Sequence, residues 1–221
     1  MDLKYFTIYG ERCSGTNFLE NAIKDNFNLE VTWDYGWKHF FGNYNFDNSE
    51  KENQTLFIGI IREPIEWLDS FYKEFHHIPY ENRTSLNAFL FNEFYSIEGL
   101  NEKEIIEDRN MLTKERYKNI FELRSVKNNF LIFFMHTLVK NFVLVKYEDL
   151  NKNYDDVLNY IHQKFNLNKK NDIYNKVIKY KGDVKKSEYI KKEILLSTKD
   201  IDTIIDNLNI YQENILGYLE K

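Results

Sequence analysis

The sequence predicts an α/β fold: one domain with a central parallel sheet flanked by helices. Three observations carry that prediction. Tyr5-Phe-Thr-Ile-Tyr9 reads as a buried strand that runs through a short small-residue loop into a helix. Leu56-Phe-Ile-Gly-Ile-Ile61 is a continuous apolar run, as expected of a strand covered on both faces of a parallel sheet. Strand and helix patterns then alternate along the chain with no internal repeat and no boundary of composition, which argues a single doubly wound sheet over residues 1–221.

In order, a first strand spans about 3–9, and a helix follows over about 15–26. Phe18, Leu19, Ala22 and Ile23 fit its 3.6-residue period. A short strand covers Leu29 to Thr32. Residues 33–54 are rich in Trp, Tyr and Phe and irregular, the pattern of an ordered loop that lines a pocket. After the 56–61 strand, Pro64 suits the first position of a helix over about 64–75. Residues 84–110 read as helical, and 76–112 is the variable stretch, a candidate insertion on the acceptor side. Thr113 to Val139 reads as one long helix or two joined, Phe142 to Lys146 as a buried strand, and 154–165 and 201–219 as helices.

Composition limits the function classes. The chain has 221 residues, 43% of them apolar, enough for one packed core. A net charge of −5 disfavours a general nucleic-acid binder. Lysines nevertheless crowd residues 164–192, as either a local anion-binding surface or a solvated face. Cys13 is the only cysteine, so an internal disulfide and a Cys-based zinc site are excluded, and a reducing cytoplasm is the expected compartment. The first ten residues do not form a signal peptide, and the longest apolar candidate for a span, Phe130 to Met135, is far too short. No metal site is expected.

Two stretches carry the chemistry. The first is Gly10-Glu-Arg-Cys-Ser-Gly15-Thr-Asn17 between strand and helix. The unpaired N–H groups of a first helical turn, reinforced by the helix dipole, bind anions. Gly10 and Gly15 have the spacing of a triphosphate-binding loop, but Thr16 and Asn17 follow where that loop needs Lys and a hydroxyl residue. A sulfuryl group carries less charge than a phosphoryl group and does not need magnesium to offset it. Ser14, Thr16, Asn17 and Arg12 suit it. The second stretch is Arg62-Glu-Pro64 through Ser70. Arg62 ends a parallel strand, at the sheet edge where ligands bind, and Ser70 lies about two helical turns on. An Arg fork and a hydroxyl grip a phosphate from two sides.

Together these stretches resemble the sulfotransferase family that uses 3′-phosphoadenosine 5′-phosphosulfate as donor. Cys13-Ser-Gly-Thr-Asn17 corresponds to the loop that binds the 5′-phosphosulfate, and Arg62 through Ser70 to the segment that binds the 3′-phosphate, with the family's Arg-to-Ser spacing. Val145-Lys-Tyr-Glu-Asp-Leu150 is similar to the family's strand-ending Tyr-Glu-Asp-Leu. Lys181-Gly182-Asp183 is similar to the loop that closes over the donor, and Gln212 to Glu220 to the last helix. The resemblance runs from about 3 to 219 and is weakest over 76–112.

The resemblance implies a P-loop-type domain and direct, metal-independent transfer of a sulfuryl group to an acceptor hydroxyl of a carbohydrate or small metabolite. Arg12, Cys13, Ser14, Gly15, Thr16, Asn17, Arg62, Ser70, Lys181 and Gly182 would hold the donor. His39 takes the place of the family's base, with Glu11 as the second candidate. Cys13 stands where the family has a Lys or Arg, so the leaving-group cation falls to Arg12 or to Lys38. One donor of that kind contributes roughly 3 kcal/mol to a transition state. Arg124 and Lys127 either face the ligand or sit on a solvated helix face. The rival readings are a nucleotide kinase or NTPase, and a non-catalytic nucleotide-binding protein on the same fold.

Overall fold

The computed structural model of the chain describes residues 2–44, 46–75, 77–99, 103–181, 187–188 and 193–219. Strand β1 (Tyr5–Tyr9) passes through the small-residue loop into helix α1 (Thr16–Asn26), and the chain returns to the short strand β2 (Glu30–Val31). The described residues from 32 to 49 are irregular, as their composition predicts, but the irregular stretch does not reach 54. Helix α2 (Glu50–Asn53) follows, its Ser49 cap accepting the Glu52 N–H, and leads directly into β3 (Thr55–Ile61). Every residue of β3 is buried, which is why its sequence is apolar throughout rather than alternating. Pro64 opens helix α3 (Pro64–Lys73), and the carboxylate of Glu63 caps it by accepting the Glu66 N–H.

The rest of the chain departs from the sequence pattern in three places. Residues 84–110 are not mainly helical. Among the described residues they hold the short helix α4 (Leu86–Phe91), the antiparallel pair β4 (Ile97–Glu98) and β5 (Lys103–Glu104), and a 3-10 turn at Ile106–Asp108. The long helix begins at Ile120, not at Thr113, because the Asn119 side chain caps it by accepting the Glu122 N–H. Helix α5 (Ile120–Asn129) then runs through one π-helical stretch, Phe130–Phe134, into α6 (Met135–Leu138). After β6 (Phe142–Lys146) come α7 (Tyr147–Lys152) and α8 (Tyr154–Phe165), and later the small pair β7 (Lys179–Lys181) and β8 (Ser187–Glu188). The last helical stretch is two helices. A capping box of Ser197 and Asp200 starts α9 (Thr198–Asn207), and Asn209 starts α10 (Ile210–Ile215) by accepting the Gln212 N–H.

The sheet has the order β2-β1-β3-β6, and all its pairings are parallel. The chain leaves β1 for a neighbour on one side and then crosses back to β3 on the other. That reversal puts the switch point of the sheet at the carboxyl ends of β1 and β3, the position at which doubly wound sheets bind ligands. The face of α1 that the sequence marks as apolar packs on this sheet together with Leu158 and Ile161 of α8. Trp67, Phe71, Phe89, Phe94 and Leu123 form a second core between α3, α4 and α5. Phe89 and Phe94, from the stretch 76–112, belong to that core. Among the described residues, no helix is long and apolar enough to cross a membrane.

The carboxyl end of β3 is anchored from the C-terminal helices. Arg124 of α5 donates to both carboxylate oxygens of Glu213 at 2.6 and 2.8 Å and to the Arg62 carbonyl at 3.1 Å. Arg124 is therefore not on a solvated helix face, and its guanidinium is taken up by Glu213 and the Arg62 carbonyl. Removing one partner of a buried pair leaves an uncompensated charge, at a cost of about 3–5 kcal/mol, whereas replacing both with apolar groups is often neutral. Arg124→Met should thus lose several kcal/mol in urea unfolding, and Arg124→Met/Glu213→Leu should regain most of it. A double variant no more stable than the single one would contradict this.

Candidate functional site

The loop after β1 is shaped by contacts its sequence does not advertise. Gly10 has no room for a side chain: a Cβ there would lie 2.6 Å from Ile60 Cγ2 and 2.7 Å from the Ile60 carbonyl oxygen. Cys13 adopts a left-handed φ of 63°, and Gly15 one of 90°. At Gly15 a Cβ would come within 2.4 Å of the Tyr147 ring, so both the conformation and the space call for glycine. The loop closes with Ser14 N–H donating to the Glu11 carbonyl at 3.1 Å.

Gly15 is also the N-cap of α1, and no side chain caps the helix or places a carboxylate in its first turn. The first-turn N–H groups are therefore neither taken up by a capping side chain nor faced by a first-turn carboxylate. The loop's carbonyls are taken up elsewhere. Trp67 Nε1–H donates to the Arg12 carbonyl at 2.8 Å, and an Arg62 guanidinium N–H donates to the Cys13 carbonyl at 3.0 Å. Both donors come from the segment around α3, so the two predicted stretches converge. Ser70 completes the convergence by hydrogen-bonding the Cys13 side chain. Arg62 also pairs with Glu66 at 3.2 Å and lies 4.6 Å from the centre of the Tyr147 ring.

Lys38 and His39 arrive on a tight turn. They are its two central residues, and it is closed by Phe40 N–H donating to the Trp37 carbonyl at 2.8 Å. Gly10 holds this turn in both directions: its N–H donates to the Lys38 carbonyl at 2.9 Å, and its carbonyl lies 2.8 Å from His39 Nδ1. A carbonyl only accepts, so Nδ1 carries the proton and Nε2 carries the lone pair. Burial pushes His39 down to about 3, against the opposing charge of Glu11, and the ring is neutral at neutral pH. The Lys38 ammonium reaches the Asn17 side chain at 2.5 Å and Glu20 at 3.4 Å, with the Trp33 and Trp37 rings flanking it. A cation thus stands beside the first turn of α1, although the loop itself lacks the lysine.

Arg12 does not play that part. Its side chain is 3% exposed and is committed to Glu11, Asp108 and Ser96, with Phe71 stacked 5.1 Å away. Of the two candidate cations, the structure leaves Lys38 at the helix N-terminus. Glu11 is likewise withdrawn as a base. Burial alone would raise its carboxyl, but Arg12 and Lys127 outweigh it and hold the group well below the usual carboxylate range. Lys127 is no surface residue either, being 2% exposed and bonded to Glu11, Asp108 and the His39 carbonyl. His77, which no sequence motif marks, packs edge-on against Phe40 of the same turn, with ring centres 5.8 Å apart. Gly182 lies outside the described residues, and Lys181 is placed only by its backbone in β7.

No family model matches this chain, and no curated protein does.

Cys13 is a poor nucleophile: burial pushes its thiol up to about 11, despite the opposing pull of Ser70 and Arg62. Alkylation by iodoacetamide at pH 8 should be slower than that of a free thiol by at least ~50-fold, the ratio of thiolate fractions. Labelling at the free-thiol rate would show an activated cysteine instead.

Proposed function

We propose that the chain is a sulfotransferase that moves a sulfuryl group from 3′-phosphoadenosine 5′-phosphosulfate to an acceptor hydroxyl. The observation that carries this reading is the pair of hydrogen bonds between Gly10 and the Lys38–His39 turn, which accompanies a cation at the uncapped N-terminus of α1 and a neutral imidazole held on the loop that precedes it. The phosphosulfate half of the donor fits the residues present: the first-turn N–H groups, Ser14, Thr16 and Asn17 would hold it, and Lys38 would offset its charge. Arg62 and Ser70 would take the 3′-phosphate, with Arg62 exchanging Glu66 for it. A triphosphate fits less well, because no lysine follows Gly15.

In this reading the acceptor oxygen attacks sulfur in line, and the bond from sulfur to the bridging phosphate oxygen breaks. The acceptor proton passes to Nε2 of His39, whose Nδ1–H stays on the Gly10 carbonyl. Lys38 stabilises the charge that develops on the departing phosphate. Bound anionic donor raises the proton affinity of His39 above that of the empty site. Trp33 and Trp37, with ring centres 4.8 Å apart, border the Lys38 side of the turn, and Phe40 borders the His39 side. The acceptor is a carbohydrate or small metabolite bound against those rings, and the protein acts in the cytoplasm.

Calorimetry with adenosine 3′,5′-bisphosphate tests the donor site. Binding should be independent of magnesium, and Arg62→Ala should weaken the bisphosphate far more than adenosine 5′-monophosphate. Lys38→Met should lower turnover of labelled donor by about 10²–10³-fold, and His39→Ala should abolish it with donor affinity nearly intact. Magnesium-dependent ATP binding would point to a kinase, and bisphosphate binding without turnover over a broad acceptor panel to a non-catalytic binder.

A further inference from the structure

Beneath the loop lies a closed ring of four buried charges that the proposed chemistry leaves unused. Glu11, Arg12, Asp108 and Lys127 are 7, 3, 2 and 2% exposed. They alternate in sign, and each touches both of its opposites. Arg12 meets Glu11 at 2.6 Å and Asp108 at 3.0 Å, and Lys127 meets Glu11 at 2.6 Å and also bonds Asp108. Ser96 joins Arg12 and Asp108.

Such a ring is a costly way to stabilise a core, since apolar residues of similar volume often do as well or better. Its placement suggests another use. Two members belong to the anion loop, Lys127 comes from α5, and Asp108 comes from the 3-10 turn after β5. Lys127 makes one bond that leaves the ring: its ammonium donates to the His39 carbonyl at 2.7 Å. The ring therefore grips the His39 turn from below, while Gly10 grips it from the side.

We propose that Lys127 and Glu11 are positioning residues for His39, which fix its turn against the anion loop and set the charge that the imidazole feels. This rests on the reading of His39 as the base. The charged groups acting on the imidazole are Glu11 and Arg12 from the loop and Lys38 from its own turn; Lys127 from α5 reaches the backbone carbonyl of His39 and pairs with Glu11, with Asp108 one contact beyond. Removing the Lys127 charge leaves the remaining ring members with net negative charge beside His39, which favours protonation. Removing the Glu11 charge does the opposite.

The test is a ¹⁵N imidazole NMR titration of His39, assigned through His39→Gln, in the whole protein without donor or acceptor. In Lys127→Met the His39 midpoint should rise by at least ~1 pH unit over wild type. Turnover should fall at least ~10-fold, and affinity for adenosine 3′,5′-bisphosphate should change little. In Glu11→Gln, which keeps the shape of the side chain, the midpoint should stay at or below the wild-type value while turnover falls. A folded Lys127→Met protein with an unmoved midpoint overturns the proposal. If that variant does not fold, a Glu11→Gln midpoint above wild type, or unchanged Glu11→Gln turnover, overturns it. A wild-type protein with no turnover overturns the sulfotransferase reading, and the titration then still decides whether the ring sets the charge at His39.

Discussion

Gly10 bonds to a single turn in both directions, donating its N–H to Lys38 and accepting from His39 Nδ1. The close approach this requires is possible only because the residue has no side chain; Ile60 fills the space where one would stand. Through that pair of bonds the loop after β1 and the turn at 37–40 become one unit. The tautomer of His39 follows from it, and so does the position of Lys38 at the start of α1. The rest of the site is arranged to keep this unit fixed. Trp67 and Arg62 hold the loop carbonyls, Tyr147 packs against Gly15, and Arg124 ties the end of β3 to Glu213.

Charge is distributed in two layers. The deeper layer is the neutral ring of Glu11, Arg12, Asp108 and Lys127, whose members satisfy one another. The layer nearer the helix N-terminus holds Lys38, whose contacts are Asn17, Glu20 and the faces of two tryptophans. The loop with Cys13 thus has a cation at the helix N-terminus, supplied from a different segment of the chain.

The fold was legible where burial writes itself into sequence. The unbroken apolar run of β3, the periodic face of α1 and the Pro64 start of α3 each have a local cause. It was less legible where a cap decided a boundary: Asn119 starts α5 later than the apolar pattern suggests, and Asn209 splits the last helix. Within the site, the convergence of Cys13 and Arg62 followed from their strand ends and that of Ser70 from its place two turns into α3, and Lys38 was readable as a substitute cation. Arg12 was misplaced because its neighbours in sequence point to an anion, while its partners Ser96 and Asp108 lie more than eighty residues away. Nothing local marks Asp108, and α5 reads as amphipathic whether or not Arg124 and Lys127 are paired inside.

The most direct test of the site is a crystal structure with adenosine 3′,5′-bisphosphate bound. The 5′-phosphate should sit on the first-turn N–H groups of α1 with the Lys38 ammonium within hydrogen-bonding distance, and Arg62 should reach the 3′-phosphate. A bisphosphate bound away from α1, or a 5′-phosphate seated there with Lys38 still turned to Asn17 and Glu20 and out of its reach, would contradict this account.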